Sequence, residues 1–214
     1  MDNLKYKLVY HRHLPHFQPH GAAMFITFRL AGSLPQAVLA TLAEESDAIE
    51  ASLKKIAGSE ERARHADLAH RRLFDKWETA LESDGTGPMW LRIPSVADMV
   101  FEAVLYRIKL FYELQACTIM PNHVHIVCTP LQKDDGSHYS VASIMHSLKG
   151  YTARRANELL QRAGAFWQHE SYDHVVRDEA EMSRIVRYVV NNPVKAGLVS
   201  QAEDWKWTFP RIDL

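Results

Sequence analysis

Two histidines one residue apart, His123 and His125, stand in the otherwise apolar run CTIMPNHVHIVCTP. In an extended strand, residues i and i+2 point to the same face. Both imidazoles therefore project together, while Val124 and Ile126 face the other way. Two imidazoles so placed can share one divalent cation. They can equally be two histidines on the solvent side of a strand, because the pattern is short. A catalytic metal needs at least one further ligand and a place for substrate. The segment SRIVRYVVNNP offers Tyr188 and Asn192, four residues apart and so on one helical face, a turn from each other. Asn192 can give a carbonyl oxygen to a hard cation such as Mg²⁺ or Mn²⁺. Tyr188 beside it can act as a nucleophile. Taken singly, the tyrosine also reads as a half-buried aromatic of an amphipathic helix, and the asparagine as a C-terminal cap. Hydrolases with a similar histidine pair add a His or Asp shortly downstream, and IVCTPLQ adds neither.

These residues need elements to position them. AMFITFRL, rich in aromatic and β-branched residues, reads as a first strand followed by the turn GSLP. Helical periodicity then runs from Pro35 to about Lys55, with the proline at the first turn. SEERARHADLAHRRLFDKWETALES reads as a second helix opening at Ser59, so that 36–90 forms a helical hairpin. SVADMVFEAVLYRIKLF is an amphipathic helix with Ser95 as its expected cap. YELQACTIMP and HVHIVCTP read as two strands joined by a tight Pro-Asn turn. SVASIMHSLKGYTARRANELLQRAG is a long helix with an interior glycine, a strand is expected near Tyr172 to Arg177, and EAEMSRIVRYVVNNP is a helix expected to stop at Pro193. The order is βαββαβ with a helical insertion, an α+β plan with an antiparallel-rich sheet and helices packed on it.

The totals set bounds. A chain of 214 residues with 47% hydrophobic content suits one domain, 1–214, with 36–90 inserted. Two cysteines, Cys117 and Cys128, form no zinc-finger or disulfide framework, and a reduced cytoplasmic setting is expected. The first residues lack the apolar core of a secretory signal, and no apolar run approaches a membrane span. The net charge of −1 hides a basic stretch: SLKGYTARRANELLQR carries Lys149, Arg154, Arg155 and Arg162 against Glu158 alone. Such a face suits a phosphate backbone, and equally a solvated helix. Tyr151, Trp167, Tyr172, Trp205 and Trp207 could stack on unpaired bases, though amphipathic surroundings favour the core for each.

Together these segments resemble a known family. MPNHVHIV resembles the His–hydrophobic–His motif of the HUH single-tyrosine transposases. FWQHESYDHVVRDEAEMSRIVRYVVNNPVKAGLV resembles the second half of that domain, above all in the REP-associated tyrosine transposases. RHLPHFQPHGAAMFITFRLAGSLP is similar to their first strand and its flanks, so the resemblance spans about residues 10 to 208, least diagnostically over 36–90. It implies a ferredoxin-like βαββαβ HUH domain that cuts and rejoins single-stranded DNA beside hairpins through a 5′-phosphotyrosine intermediate. A divalent metal, Mg²⁺ or Mn²⁺, would be held by His123, His125 and Asn192. Tyr188, on the helix 180–192, matches the nucleophile. Tyr151 is the rival, but its surroundings resemble a DNA-contacting helix, and Lys149, Tyr151, Arg154, Arg155 and Arg162 would then face DNA. The implied partner is single-stranded or hairpin DNA with REP-like palindromes, met by a monomer or a homodimer in the cytoplasm, at the nucleoid. The alternative is a domesticated hairpin-binding protein of the same fold with little or no turnover.

Overall fold

The computed structural model describes residues 21–82 and 87–210. The expected flank at 12–20 lies outside the described residues. Two compact units emerge. One comprises Gly32–Gly87, close to the insertion expected at 36–90. Its helices α1 (Gln36–Leu53) and α2 (Ser59–Glu82) pack as a hairpin, with the Lys76 ammonium 2.7 Å from the Glu45 carboxylate. The Arg62 guanidinium closes the turn by donating to the Ile56 carbonyl at 2.7 and 2.9 Å.

The second unit holds the sheet. Its strands are β1 (Met24–Leu30), β2 (Tyr112–Ile119), β3 (His123–Pro130), β4 (Trp167–Val175) and β5 (Thr208–Phe209). They lie in the order β4-β1-β3-β2-β5, every pair antiparallel. The helices are α3 (Pro94–Tyr106), α4 (Val141–Leu159) and α5 (Glu179–Lys195). Each βαβ passage skips one strand, which is the split arrangement of a ferredoxin-like α+β sheet.

Central strand β1 is buried along its whole length, and its two faces differ. Met24, Ile26, Phe28 and Leu30 share a face with Val124 and Ile126, because Ile26 registers with Ile126 and Phe28 with Val124. Helices α3 and α4 pack together, and the Trp167 ring joins α4 to this face: it meets Phe28 edge-on at 4.7 Å while its indole N–H donates to Thr152 Oγ1 at 2.8 Å. Phe25, Thr27 and Arg29 point the other way with His125 and His123, and α5 covers that side against β2 and β3. Cys117 and Cys128 are free thiols in the core, and burial pushes Cys128 up to about 12.

Some boundaries differ from expectation. Helix α3 begins at Pro94, with Ile93 extended before it, so the proline takes the first helical position and Ser95 is not the cap. Strand β4 starts at Trp167 rather than near Tyr172; as an edge strand with half-exposed polar residues, it lacks the apolar signature of its neighbours. Helix α5 does not stop at Pro193. It runs to Lys195 and ends where Gly197 adopts φ 67°. The Gly197 N–H donates to the Val194 carbonyl and the Leu198 N–H to the Pro193 carbonyl, at 3.0 and 2.9 Å. These are the two bonds of a Schellman stop. So near the helix end Pro193 forfeits one intrahelical donor and leaves the last turn intact. Asn192 is inside the helix, not at its cap.

Candidate metal and nucleophile site

The hairpin joining β2 to β3 turns through Pro121 and Asn122, with the Met120 N–H donating to the His123 carbonyl at 2.9 Å. That turn places Asn122 immediately before the first histidine. Its Oδ1 lies 2.7 Å from His123 Nδ1, and the ring N–H donates to it. Across the sheet Thr27 registers with His125, and Thr27 Oγ1 is 2.8 Å from His125 Nδ1. Each ring is thus held by its Nδ1, and the two Nε2 atoms converge to 3.1 Å. Both histidines are buried, at 1% and 0% exposure.

This donor set fits a cation. Two imidazole nitrogens binding one ion at about 2.1 Å stand at a comparable spacing, and a ligating histidine ordinarily donates its other ring nitrogen to an oxygen. Asn122 and Thr27 are the oxygens in place to receive them. Sequence reading passed over both. The available signal was a threonine, then an arginine, in the apolar strand MFITFRL.

Tyr188 meets the same site from α5. Its ring lies edge-on to His125 at 5.6 Å and to Phe25 at 6.2 Å, while Phe25 stacks on His125 at 5.6 Å. The Lys195 ammonium sits 5.6 Å from the Tyr188 ring centre. Asn192, one turn on, is fully buried within the helix that covers the histidine face. Arg29 registers with His123 on that face; burial pulls its guanidinium down to about 10, so it stays charged at neutral pH.

The start of α5 is anchored too. Asp178 caps it, accepting from the Glu181 N–H at 2.7 Å. The Glu181 carboxylate accepts from the Arg177 N–H at 2.9 Å and lies 3.1 Å from His174 Nε2 on β4. Burial raises its affinity for a proton, yet the Arg177 hydrogen bond and the neighbouring His174 and Arg177 charges hold its pKa below the usual value. Glu181 thereby ties the tyrosine-bearing helix to the sheet edge.

The expected DNA-facing residues divide. Lys149 turns inward, its ammonium donating to the Gln168 and His169 carbonyls at 2.6 and 2.9 Å, and burial lowers it to about 8. Arg162 donates to Asn157 Oδ1 at 2.6 Å and lies 4.0 Å over the Trp90 ring. Arg155 pairs with Glu158. Tyr151 and Arg154 are exposed. Of the tryptophans considered for base stacking, Trp167 and Trp207 are buried, and the Trp205 and Trp207 indoles donate to the Ile119 carbonyl and Asp98.

Residues 100–192, from α3 to Asn192, match the family model described as "Transposase IS200 like". This segment includes both histidines and Tyr188. The chain is 24% identical over 102 residues to a putative REP-associated tyrosine transposase of Haemophilus influenzae, covering 45% of this chain and 58% of that one. It is 28% identical over 103 residues to the REP-associated tyrosine transposase of Escherichia coli, covering 47% and 56%. Over this segment the chain is similar to REP-associated tyrosine transposases. The matches span little more than half the length of those curated relatives. A solved structure of a REP-associated tyrosine transposase bound to a REP hairpin shares the fold, with a TM-score of 0.53 at 16% identity over 92% of this chain and 82% of that one. Among the described residues, no helix is long and apolar enough to cross a membrane.

Proposed function

We propose that this protein is a divalent-metal-dependent transposase that cleaves and rejoins single-stranded DNA beside hairpins, with Tyr188 as nucleophile. The observation that carries it is the convergence of His123 and His125 Nε2 to 3.1 Å on the face where the Tyr188 ring meets His125. His123, His125 and Asn192 are the residues that would hold Mg²⁺ or Mn²⁺. When bound, the cation polarises the scissile phosphate and offsets the charge growing on it.

The chain's own groups do the rest. Thr27 and Asn122 keep the imidazoles turned so that Nε2 faces the phosphate site. The Tyr188 oxygen attacks phosphorus, forming a 5′-phosphotyrosyl bond as the bond to the 3′-oxygen breaks. The leaving oxygen takes a proton and departs as a 3′-hydroxyl. That hydroxyl, or one from another strand, reverses the step. One phosphodiester replaces another, so no nucleotide is hydrolysed. A phenol with pKa near ~10 is a weak nucleophile at neutral pH. The Lys195 ammonium beside the ring favours the phenolate. Tyr151, Arg154 and Arg155 are exposed on α4, and of these Tyr151 and Arg154 are proposed to meet DNA, Arg155 being paired with Glu158.

The test is a labelled single-stranded hairpin oligonucleotide with Mn²⁺ or Mg²⁺, run on a denaturing gel. Wild type is expected to form a covalent adduct, and Tyr188→Phe none. An adduct persisting in Tyr188→Phe but lost in Tyr151→Phe would transfer the nucleophile to Tyr151. Hairpin binding with no wild-type adduct would leave the domesticated binding protein as the function. His123→Ala cleaving like wild type would remove the metal role.

A further inference from the structure

The face of the sheet away from the histidines carries two exposed aromatic rings, one of them Tyr151 of the α4 face. Tyr106, the last residue of α3, is 75% exposed, and Tyr151 on α4 is 41% exposed. Between them lies Arg107, itself 6% exposed. It donates to the Ala103 carbonyl at 2.7 Å and to the Ser147 carbonyl and hydroxyl at 3.1 and 3.2 Å. Its guanidinium stands 5.5 Å from the Tyr151 ring centre, and Tyr106 is also close enough to feel its charge. A fixed cation thus lies over one exposed aromatic ring, Tyr151, and directly follows the other, Tyr106, in the chain. Exposed Lys109 and Arg154 stand near them in the chain, and so do the exposed acids Glu102, one turn before Tyr106, and Glu158, which pairs with Arg155.

Gly150 precedes Tyr151 in the middle of α4. Glycine weakens a helix interior relative to alanine, and here no unusual backbone angle calls for it. Nor does packing: among the described residues, apart from its chain neighbours and its own helix backbone, no atom lies within 4 Å of where its Cβ would stand. A glycine with neither reason leaves the helix backbone open to close approach from outside, beside a ring that can stack.

We propose that Tyr106, Gly150 and Tyr151 form an accessory site for unpaired DNA, on the sheet face opposite the histidines. Bases stack on the two rings, the strand lies against the helix at Gly150, and Lys109 and Arg154 meet its phosphates. Exposed aromatic rings, one of them against a fixed cation, suit bases better than an apolar protein surface. The site would hold a strand segment other than the one being cut. This rests on the reading that the protein handles single-stranded DNA, and the test separates the two.

Fluorescein-labelled oligothymidylate, which forms no hairpin, is titrated by anisotropy into the full chain carrying Tyr188→Phe, so that binding is read without cleavage. Tyr106→Ala is expected to weaken binding by about fivefold to a hundredfold, the range for losing one base–aromatic stack. Gly150→Ala is expected to weaken binding while raising Tm by about 2–4 °C. These opposite signs exclude misfolding as the cause. Unchanged affinity in both variants, or no oligothymidylate binding at all, overturns the site. So does a fall in molecular mass in Tyr106→Ala, which would assign the patch to contact between copies of the chain. Failure of the cleavage reading would appear instead as a missing wild-type adduct with oligothymidylate binding intact.

Discussion

The two faces of one sheet use the same strands for opposite ends. On β1 and β3, Met24, Ile26, Phe28, Val124 and Ile126 give α3 and α4 an apolar bed. The residues between them, Thr27, Arg29, His123 and His125, are equally buried but polar, each within reach of a specific partner or charge. Burial alone therefore does not distinguish core from site. Buried polar groups cost free energy unless satisfied. A face that keeps four of them is organised for binding more than for stability, and the α3–α4 face supplies the stability.

Truncation on the apolar face should have the largest effect. Phe28→Ala removes a fully buried ring that packs edge-on against Trp167 and should cost about 3–5 kcal/mol in urea unfolding. A cost below about 1 kcal/mol would erase the contrast between the faces.

On the polar face, Thr27→Val keeps the shape and deletes the oxygen 2.8 Å from His125 Nδ1. Mn²⁺ affinity measured by calorimetry should drop by about 10–100-fold. Wild-type affinity in this variant would mean that the threonine does not orient the ring.

Glu181→Gln probes how α5 is held over that face. The loss should be about 1–2 kcal/mol at neutral pH. The folded-state pKa of Glu181 lies below its ordinary value, so its stabilisation is present above about pH 4.3 and is lost as pH falls through the folded value. The variant should therefore lose less stability on acidification than wild type, as read by thermal unfolding across that range. Parallel pH profiles would show that the carboxylate charge is not what anchors the helix.

Arg154→Ala should change least. Its exposed side chain makes stability shifts beyond about 0.5 kcal/mol unexpected. The slope of log affinity against log salt for single-stranded DNA should fall by about 0.7, one phosphate contact. Lys149→Met, by contrast, should lower stability, because its ammonium ties α4 to two β4 carbonyls.

Much of this architecture was legible from local pattern. The strand HVHIVCTP has its expected limits, since alternation between two buried faces and a Pro-Asn turn specify both ends. Helices α1 and α2 follow from periodicity. The end of α5 was misread because Pro193 is the more conspicuous breaker, whereas the left-handed Gly197 carries the stop. The start of β4 was missed because an edge strand need not be apolar. Along α4 and the turn after it, charge could not reveal which cations the fold already employs: Lys149 and Arg162 are tied to carbonyl and amide oxygens, and Arg154 is left exposed.

What the sequence determined by itself was the pairing of residues close in the chain. A strand's two-residue repeat puts His123 beside His125, and a helix's repeat puts Tyr188 a turn from Asn192. The tertiary structure decided which of these meet. The register of β1 against β3 brought Thr27 to His125, from 98 positions away, and the docking of α5 brought Tyr188 to the same imidazole. Backbone periodicity acts over one or two turns. Register and helix docking are settled by the burial of whole faces, and no short stretch of sequence contains that information.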